Sequence, residues 1–264
     1  MRSVDVEGLR IAYRTQGEGP PLLLLHGGMA DSRAWRREAN ALSDAYTVVA
    51  WDAPGCGQSS DPPASFGMDD YADCLAAFVE AVGLDRPHVL GLSFGGGLAL
   101  ALYGRHPAIP RSLLLVSAYA GWGGSLAPEE VRRRVAAFER AAEIPRARMA
   151  EEFVATLFSD VATPEALEET TRMVSEYHVA GARIMAHAFA DADLRDVLPR
   201  VRVPTLLLYG DADVRSPAFV ADELEAGIPT ATRVTLPRVG HVVNIEAPER
   251  FEHEVRTFLR SHPG

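Results

Sequence analysis

The sequence predicts an α/β fold, a mostly parallel, doubly wound sheet with one helical insertion. Three observations carry this. Short continuous apolar runs alternate with helix-patterned segments. One long middle stretch holds helix-like pieces and no strand-like run. The polar residues that follow the apolar runs would all collect at one edge of such a sheet.

The elements follow in order. "RIAYRTQG" alternates as a strand does. "PLLLLHGG" (Pro21 to Gly28), "TVVAWD" (Thr47 to Asp52), "HVLGLS" (His88 to Ser93), "SLLLVSA" (Ser112 to Ala118) and "TLLLYGD" (Thr205 to Asp211) are apolar throughout and end in turn residues. Strands covered on both faces of a parallel sheet have this composition. "DDYADCLAAFVEAVGL", "FGGGLALALYGRH" and "PAFVADELEAG" lie between them and carry helical patterns. "ATRVTLP" reads as a last strand, and "APERFEHEVRTFLRS" as a closing helix with Pro248 in its first turn. From about Ala120 to Arg195 the pattern is helical only, with "APEEVRRRVAAFERAA", "PRARMAEEFVATLF" and "TPEALEETTRMVSEYHVAGARIMAHAF". The expected division is a core from 1–119 and 196–264 and a helical cap from 120–195.

Composition narrows the function. The chain has 264 residues, 47% of them hydrophobic and 23% charged, enough for one large core. Its net charge of −10 disfavours a nucleic-acid partner. The run Arg132 to Arg134 stands beside Glu129 and Glu130 and reads as a solvated helix face. All 26 cationic residues are arginine, so Schiff-base, Walker-type and Ser–Lys chemistries have no lysine to use. The two cysteines, Cys56 and Cys74, form no CxxC pair, which argues against a disulfide framework and a structural zinc and fits free thiols in a reducing cytoplasm. No apolar stretch approaches the ~18 residues of a membrane span, and "MRSVDVEGLRIAY" lacks a signal-peptide core. Neither a cofactor nor a metal is expected: there is no HExxH and no Cys/His cluster.

Ligands of open α/β sheets bind at the carboxyl ends of the strands. There the sequence places His26-Gly27-Gly28, Asp52, Ser93, the pair Asp211 and Asp213, and His241. "GLSFG" matches G-x-S-x-G, a sharp strand-to-helix turn that exposes the serine in a strained conformation. Gly91 and Gly95 flank it because strand and helix backbones nearly touch at such a turn. A serine hydroxyl needs a base to take its proton. The chain order on this kind of turn is serine, acid, histidine. His26, His88 and His106 do not fit that order; His178 and His187 fall in the insertion, His253 in the last helix and His262 at the terminus. His241 remains, on a loop that Gly240 lets turn sharply. Of Asp211 and Asp213, one is expected to cap the turn and the other to serve as the acid, with Asp213 the favoured acid. The Phe94 N–H and a second from Gly28, or its neighbour Met29, would form an oxyanion hole. His26 is expected to brace its loop. Met29, Trp122, Val214 and Val242 are candidates for the substrate pocket.

The motifs "LLLLHGG", "WDAPGCGQSS", "GLSFGGGLAL", "LLLYGDADVRSP" and "VGHVVNIEAPERF", in this order, resemble the α/β-hydrolase superfamily over essentially the whole chain. The resemblance implies the α/β-hydrolase fold, a catalytic triad of Ser93, Asp213 and His241, an oxyanion N–H at Gly28 and a helical cap over the site. Within the superfamily the chain looks like small bacterial carboxylesterases and lactonases, including enol-lactonase-like proteins. It departs from haloalkane dehalogenases, which have aspartate in place of Ser93. It also departs from C–C bond hydrolases, which carry a tryptophan where Val242 stands. C–C bond hydrolases, perhydrolases and acyltransferases nevertheless use the same triad and stand as alternatives, and a low-turnover ligand receptor could sit on the same scaffold. The implied partner is a small-molecule ester or lactone, bound to a monomer or homodimer in the cytoplasm.

Overall fold

The computed structural model describes residues 1–140 and 143–263. Eight strands form one sheet: β1 (Arg2–Val6), β2 (Leu9–Gln16), β3 (Pro21–Leu25), β4 (Thr47–Trp51), β5 (His88–Leu92), β6 (Ser112–Val116), β7 (Thr205–Gly210) and β8 (Ala231–Leu236). Their order is β1-β2-β4-β3-β5-β6-β7-β8. The pairs β1–β2 and β2–β4 are antiparallel and the rest are parallel. The first strand was not foreseen. "RSVDV" is largely exposed and has no apolar run to mark it; it forms by pairing with β2 at the sheet edge.

The central strands explain themselves. Leu22 to Leu25, Val89 to Leu92, Leu113 to Val116 and Leu206 to Tyr209 are buried, because helices cover both faces of the sheet. Around the sheet lie α1 (Arg36–Leu42), α2 (Met68–Val82), α3 (Phe94–Arg105), α9 (Ala218–Gly227), the short α10 (Val243–Glu246) and α11 (Pro248–Ser261). Pro248 opens α11, where its missing N–H costs nothing. β3 stands between β4 and β5, so the chain leaves it in one direction and later returns to its other side. The crevice at the carboxyl ends of β3 and β5 is therefore the topological switch point, where such sheets bind ligands.

Between β6 and β7 run α4 (Trp122–Ser125), α5 (Pro128–Arg140), α6 (Arg146–Val154), α7 (Pro164–Val174) and α8 (Val179–Asp191). The helical reading of Ala127 to Ala142 is met as far as Arg140; Ala141 and Ala142 lie outside the described residues, as does Gly264. The run from Thr163 to Phe189 divides into α7 and α8 at residues 175–178. This helical block leaves and rejoins the sheet at one point. The Leu194 N–H donates to the Ala120 carbonyl at 2.9 Å, and the Gly124 N–H to that of Ala192 at 3.1 Å. Phe189 anchors the block: it packs edge-on against Phe94 and Tyr119 and lies over Gly97.

The arginine run is not wholly solvated. Arg134 is 9% exposed and turns inward over the rings of Tyr119 and Trp122. It donates to the Arg215 carbonyl at 2.8 Å and pairs with Glu130. Helical periodicity places one residue of any such run on the inner face.

Candidate active site

Ser93 sits at the junction of β5 and α3 with φ +55° and ψ −112°, in the left-handed half of backbone space that a side chain rarely occupies. The junction is held from both sides. The Ser93 N–H donates to the Val116 carbonyl at 2.8 Å, and the Ser93 carbonyl accepts from Gly96 and Gly97. A Cβ on Gly91 would collide with the Gly95 carbonyl, and one on Gly95 with that of Leu25. Both glycines are thus demanded by close approach, as the elbow reading requires.

Asp213 and His241 come together at the ends of β7 and β8. Both are buried, at 5% and 2% exposure. The His241 Nδ1–H donates to Asp213 Oδ2 at 2.8 Å. The other oxygen of Asp213 accepts from the Arg215 and Ser216 N–H groups at 2.9 and 2.8 Å. Burial alone would push the Asp213 carboxyl up; the His241 ring and the Ser216 N–H outweigh it and hold the carboxyl below its ordinary range. With Nδ1 protonated toward the carboxylate, His241 Nε2 is left as a base. Asp211 behaves differently. It is exposed and accepts from the Arg238 N–H, a turn-capping bond.

Gly240 is needed for closeness and not for a left-handed turn. An added Cβ there would press on the Ser159 amide and the Leu157 carbonyl of the helical block. That contact is functional in position: the His241 N–H donates to the Leu157 carbonyl at 2.8 Å. The Glu246 carboxylate accepts from the amides of Gly240 and Ser159 at 2.9 and 3.0 Å. The loop carrying His241 is therefore tied to residues 157–159.

Ser93, His241, Gly28 and Val242 line one small cavity of about 30 Å³. Leu157, Met173, Val174 and Ile245 make much of its apolar wall. Gly28 follows His26, whose Nε2 accepts from the Ala53 N–H at 3.0 Å while Nδ1 lies 2.8 Å from the Gly27 carbonyl. Both ring nitrogens are engaged, so His26 braces the loop. Met29, with φ +60°, completes the turn. The N–H of Phe94 opens α3, where the first amides have no partner within the helix. Its ring is buried between Tyr71 and Phe189.

Three pocket expectations need correction. Val214 is 75% exposed and faces a groove between α5 and α6, on the far side of Phe153 from the cavity. Trp122 is buried against Phe138 and Phe189 as packing. Met29 lines a separate crevice with Tyr177 and His178. The cavity is lined by Phe153 and also takes Leu157, Thr170, Met173 and Ile245, which sequence reasoning missed. Their helical spacing does not distinguish an inward face over a cavity from one over core. Among the described residues no group of three or more His, Cys, Asp or Glu is placed to hold a metal ion, and no helix is long and apolar enough to cross a membrane.

The family model for the alpha/beta hydrolase fold matches residues 20–248, and the chain belongs to this family. It is similar to a thermophilic esterase from Thermogutta terrifontis, with TM-score 0.92, 29% identity and 100% of both chains covered. The enol-lactonase from Burkholderia xenovorans LB400 shares the fold at TM-score 0.90 and 24% identity, over 98% of this chain and 100% of that one. A Pseudomonas putida protein named the dihydrolipoyllysine-residue acetyltransferase component of an acetoin cleaving system is 31% identical over 95% of this chain. The match spans 66% of that relative's length.

Proposed function

We propose that this alpha/beta hydrolase is a cofactor-independent serine hydrolase of carboxylic esters or lactones. The observation that carries the reading is one cavity bounded by the strained Ser93, the Asp213-paired His241 and the Gly28 turn. Ser93 Oγ attacks the acyl carbon and passes its proton to His241 Nε2. The oxyanion is held by the amides of Gly28 and Phe94. His241 returns the proton to the departing alcohol, and water then releases the acid by the same steps reversed. Asp213 keeps the histidine in its tautomer and stabilises the imidazolium. The helical block serves as a cap that shields the ester from bulk water. Its apolar wall of Leu157, Met173 and Val174 supports an uncharged acyl group.

The test is covalent. A fluorophosphonate should add one adduct to the intact chain, mapped to Ser93, and aryl esters should turn over. In Ser93→Ala the adduct should vanish and turnover should fall to residual levels, with the fold unchanged. Retention of more than a few per cent of turnover would sink the assignment.

Acyl transfer is a second reading, favoured by the name of the Pseudomonas putida relative. That name describes a longer protein, and a third of it has no counterpart in this chain. Product analysis with alcohol or thiol acceptors present separates transfer from hydrolysis.

A further inference from the structure

The loop that carries Asp213 is gripped from the helical block as well as from the sheet. Arg134 of α5 engages all three guanidinium nitrogens. Nε donates to Glu130 at 2.7 Å, Nη1 to the Tyr119 hydroxyl at 3.1 Å and Nη2 to the Arg215 carbonyl at 2.8 Å. The Tyr119 hydroxyl donates to the same carbonyl at 2.5 Å. Two donors, one of them cationic, thus meet on one peptide oxygen.

The other end of that peptide unit lies on the triad acid. The Ser216 N–H, which shares its peptide plane with the Arg215 carbonyl, donates to Asp213 Oδ1 at 2.8 Å. A trans peptide is planar, with C=O and N–H pointing opposite ways, so whatever holds the oxygen also aims the N–H. Donors on the carbonyl polarise the unit and strengthen the N–H as a donor. Asp213 is in turn bonded to His241 Nδ1 at 2.8 Å. The Arg215 side chain adds to the grip: it stacks on Phe153 of α6 at 4.8 Å and donates to Thr156 at 2.8 Å.

Packing does not ask for an arginine at this place. Arg134 is buried over the rings of Tyr119 and Trp122, and an apolar side chain of similar length would fill the interior without a charge to desolvate. What an apolar side chain cannot do is hold the Arg215 carbonyl. Arg134 is not among the residues that line the Ser93 cavity, so its route to the chemistry is that peptide.

We infer that Arg134 is a positioning residue for the reaction. Reaching out of the helical block, it fixes the Arg215–Ser216 peptide and through it the Asp213 carboxylate, so that the triad is aligned only while α5 is seated on the sheet. This rests on Ser93, Asp213 and His241 being the triad.

The experiment compares Arg134→Met, which keeps a long stem and removes the donors, with Arg133→Met, an exposed neighbour on α5 that also pairs with Glu130. Denaturant unfolding finds conditions in which each variant is folded, and kinetics with a p-nitrophenyl ester are measured there. In Arg134→Met kcat should fall about 10- to 100-fold, the scale of a small misplacement at a reacting centre, while KM changes by less than about threefold. Arg133→Met should stay within about twofold of native, as expected of an exposed ion pair. The proton between His241 and Asp213 gives a reading independent of turnover. Its far-downfield NMR signal, identified by its loss in Asp213→Asn, should move upfield or broaden in Arg134→Met and stay in place in Arg133→Met. If methionine at 134 prevents folding, Tyr119→Phe removes the second donor to the same carbonyl and should lower kcat at least about threefold, with the same change of signal. Native kcat in the folded variant, or an unmoved signal, would overturn the inference, and so would equal losses in the two methionine variants. If the native chain takes no fluorophosphonate and hydrolyses no ester, the nucleophile reading fails, and the proton signal still decides the role of Arg134.

Discussion

Two faces meet across the cavity, and they are built on different terms. On the sheet side, Ser93, Asp213 and His241 follow strand ends, and backbone contacts set their places: the Gly91–Gly95 approach, the Ser93 to Val116 bond and the amides behind Asp213. On the helical side, Phe153, Leu157, Met173 and Val174 present side chains from the block between β6 and β7. Backbone placement tolerates almost no change of residue, whereas a wall of apolar side chains can be recut. The chemistry should therefore be brittle and the specificity adjustable.

Substitutions can break or sharpen that contrast. The largest effect is expected on the sheet side. Asp213→Asn keeps the shape but favours the wrong histidine tautomer, and kcat should fall by roughly 10⁴. Steady-state kinetics with an aryl ester measures this; a loss under tenfold would move the acid elsewhere. Next is the anchor of the helical block. Phe189→Ala should cost ~3–5 kcal/mol of stability in denaturant unfolding, because its ring meets Phe94, Tyr119 and Trp122.

Away from both faces, the buried Glu38 of α1 should make stability respond to pH. Glu38 has a folded-state value of about 7, above its ordinary value of 4.5. A raised carboxyl binds its proton more tightly when folded, so the native chain gains stability as pH falls from about 7 toward 4.5 and carries the full burial penalty above 7. Glu38→Gln should thus be more stable than the native chain at pH 8, by on the order of 3 kcal/mol at most, with the advantage shrinking at pH 5. Equal differences at the two pH values would show that Glu38 does not titrate in this range.

Smaller effects come from the recut wall and the exposed turn. Met173→Ala should shift the kcat/KM ratio of long over short acyl esters by ~1–3 kcal/mol, while fluorophosphonate labelling changes less. An unchanged chain-length profile would place specificity on the Gly28 and Val242 loops. Asp211→Asn should cost about 1 kcal/mol of stability through its bond to Arg238 and leave kcat near native.

The same contrast governs what could be read from sequence. The central strands were legible because a strand covered on both faces must be apolar throughout, as "SLLLV" and "TLLLYG" are. The placement of Ser93, Asp213 and His241 at one edge of the sheet was legible because turns after strands have short, directional motifs. β1 was not, because an exposed edge strand needs no apolar pattern. The pocket was not, because Met173 and Val174 sit in α7 with the spacing of any amphipathic helix, and contact across the chain decides what that face meets. Val214 misled through nearness in sequence to Asp213: the Asp213 carboxylate turns inward while the next side chain turns out. Glu38 was invisible for a related reason, since "RREANAL" looks solvated until α1 is docked.

The stem at Ala120 and Leu194 gives the helical block the character of a cassette. Its two ends are hydrogen-bonded to each other, so a foreign block of another length could be spliced between them without asking β6 or β7 to move. The graft would have a hidden condition. The Leu157 carbonyl and the Ser159 amide grip the loop that carries His241, through its own N–H and through Glu246. A recombined chain that lacked these two backbone groups would fold its new helices over a loosened His241 loop. Chimaeras drawn among relatives should therefore be sorted by the clasp at residues 157–159 before they are sorted by the shape of the pocket they bring.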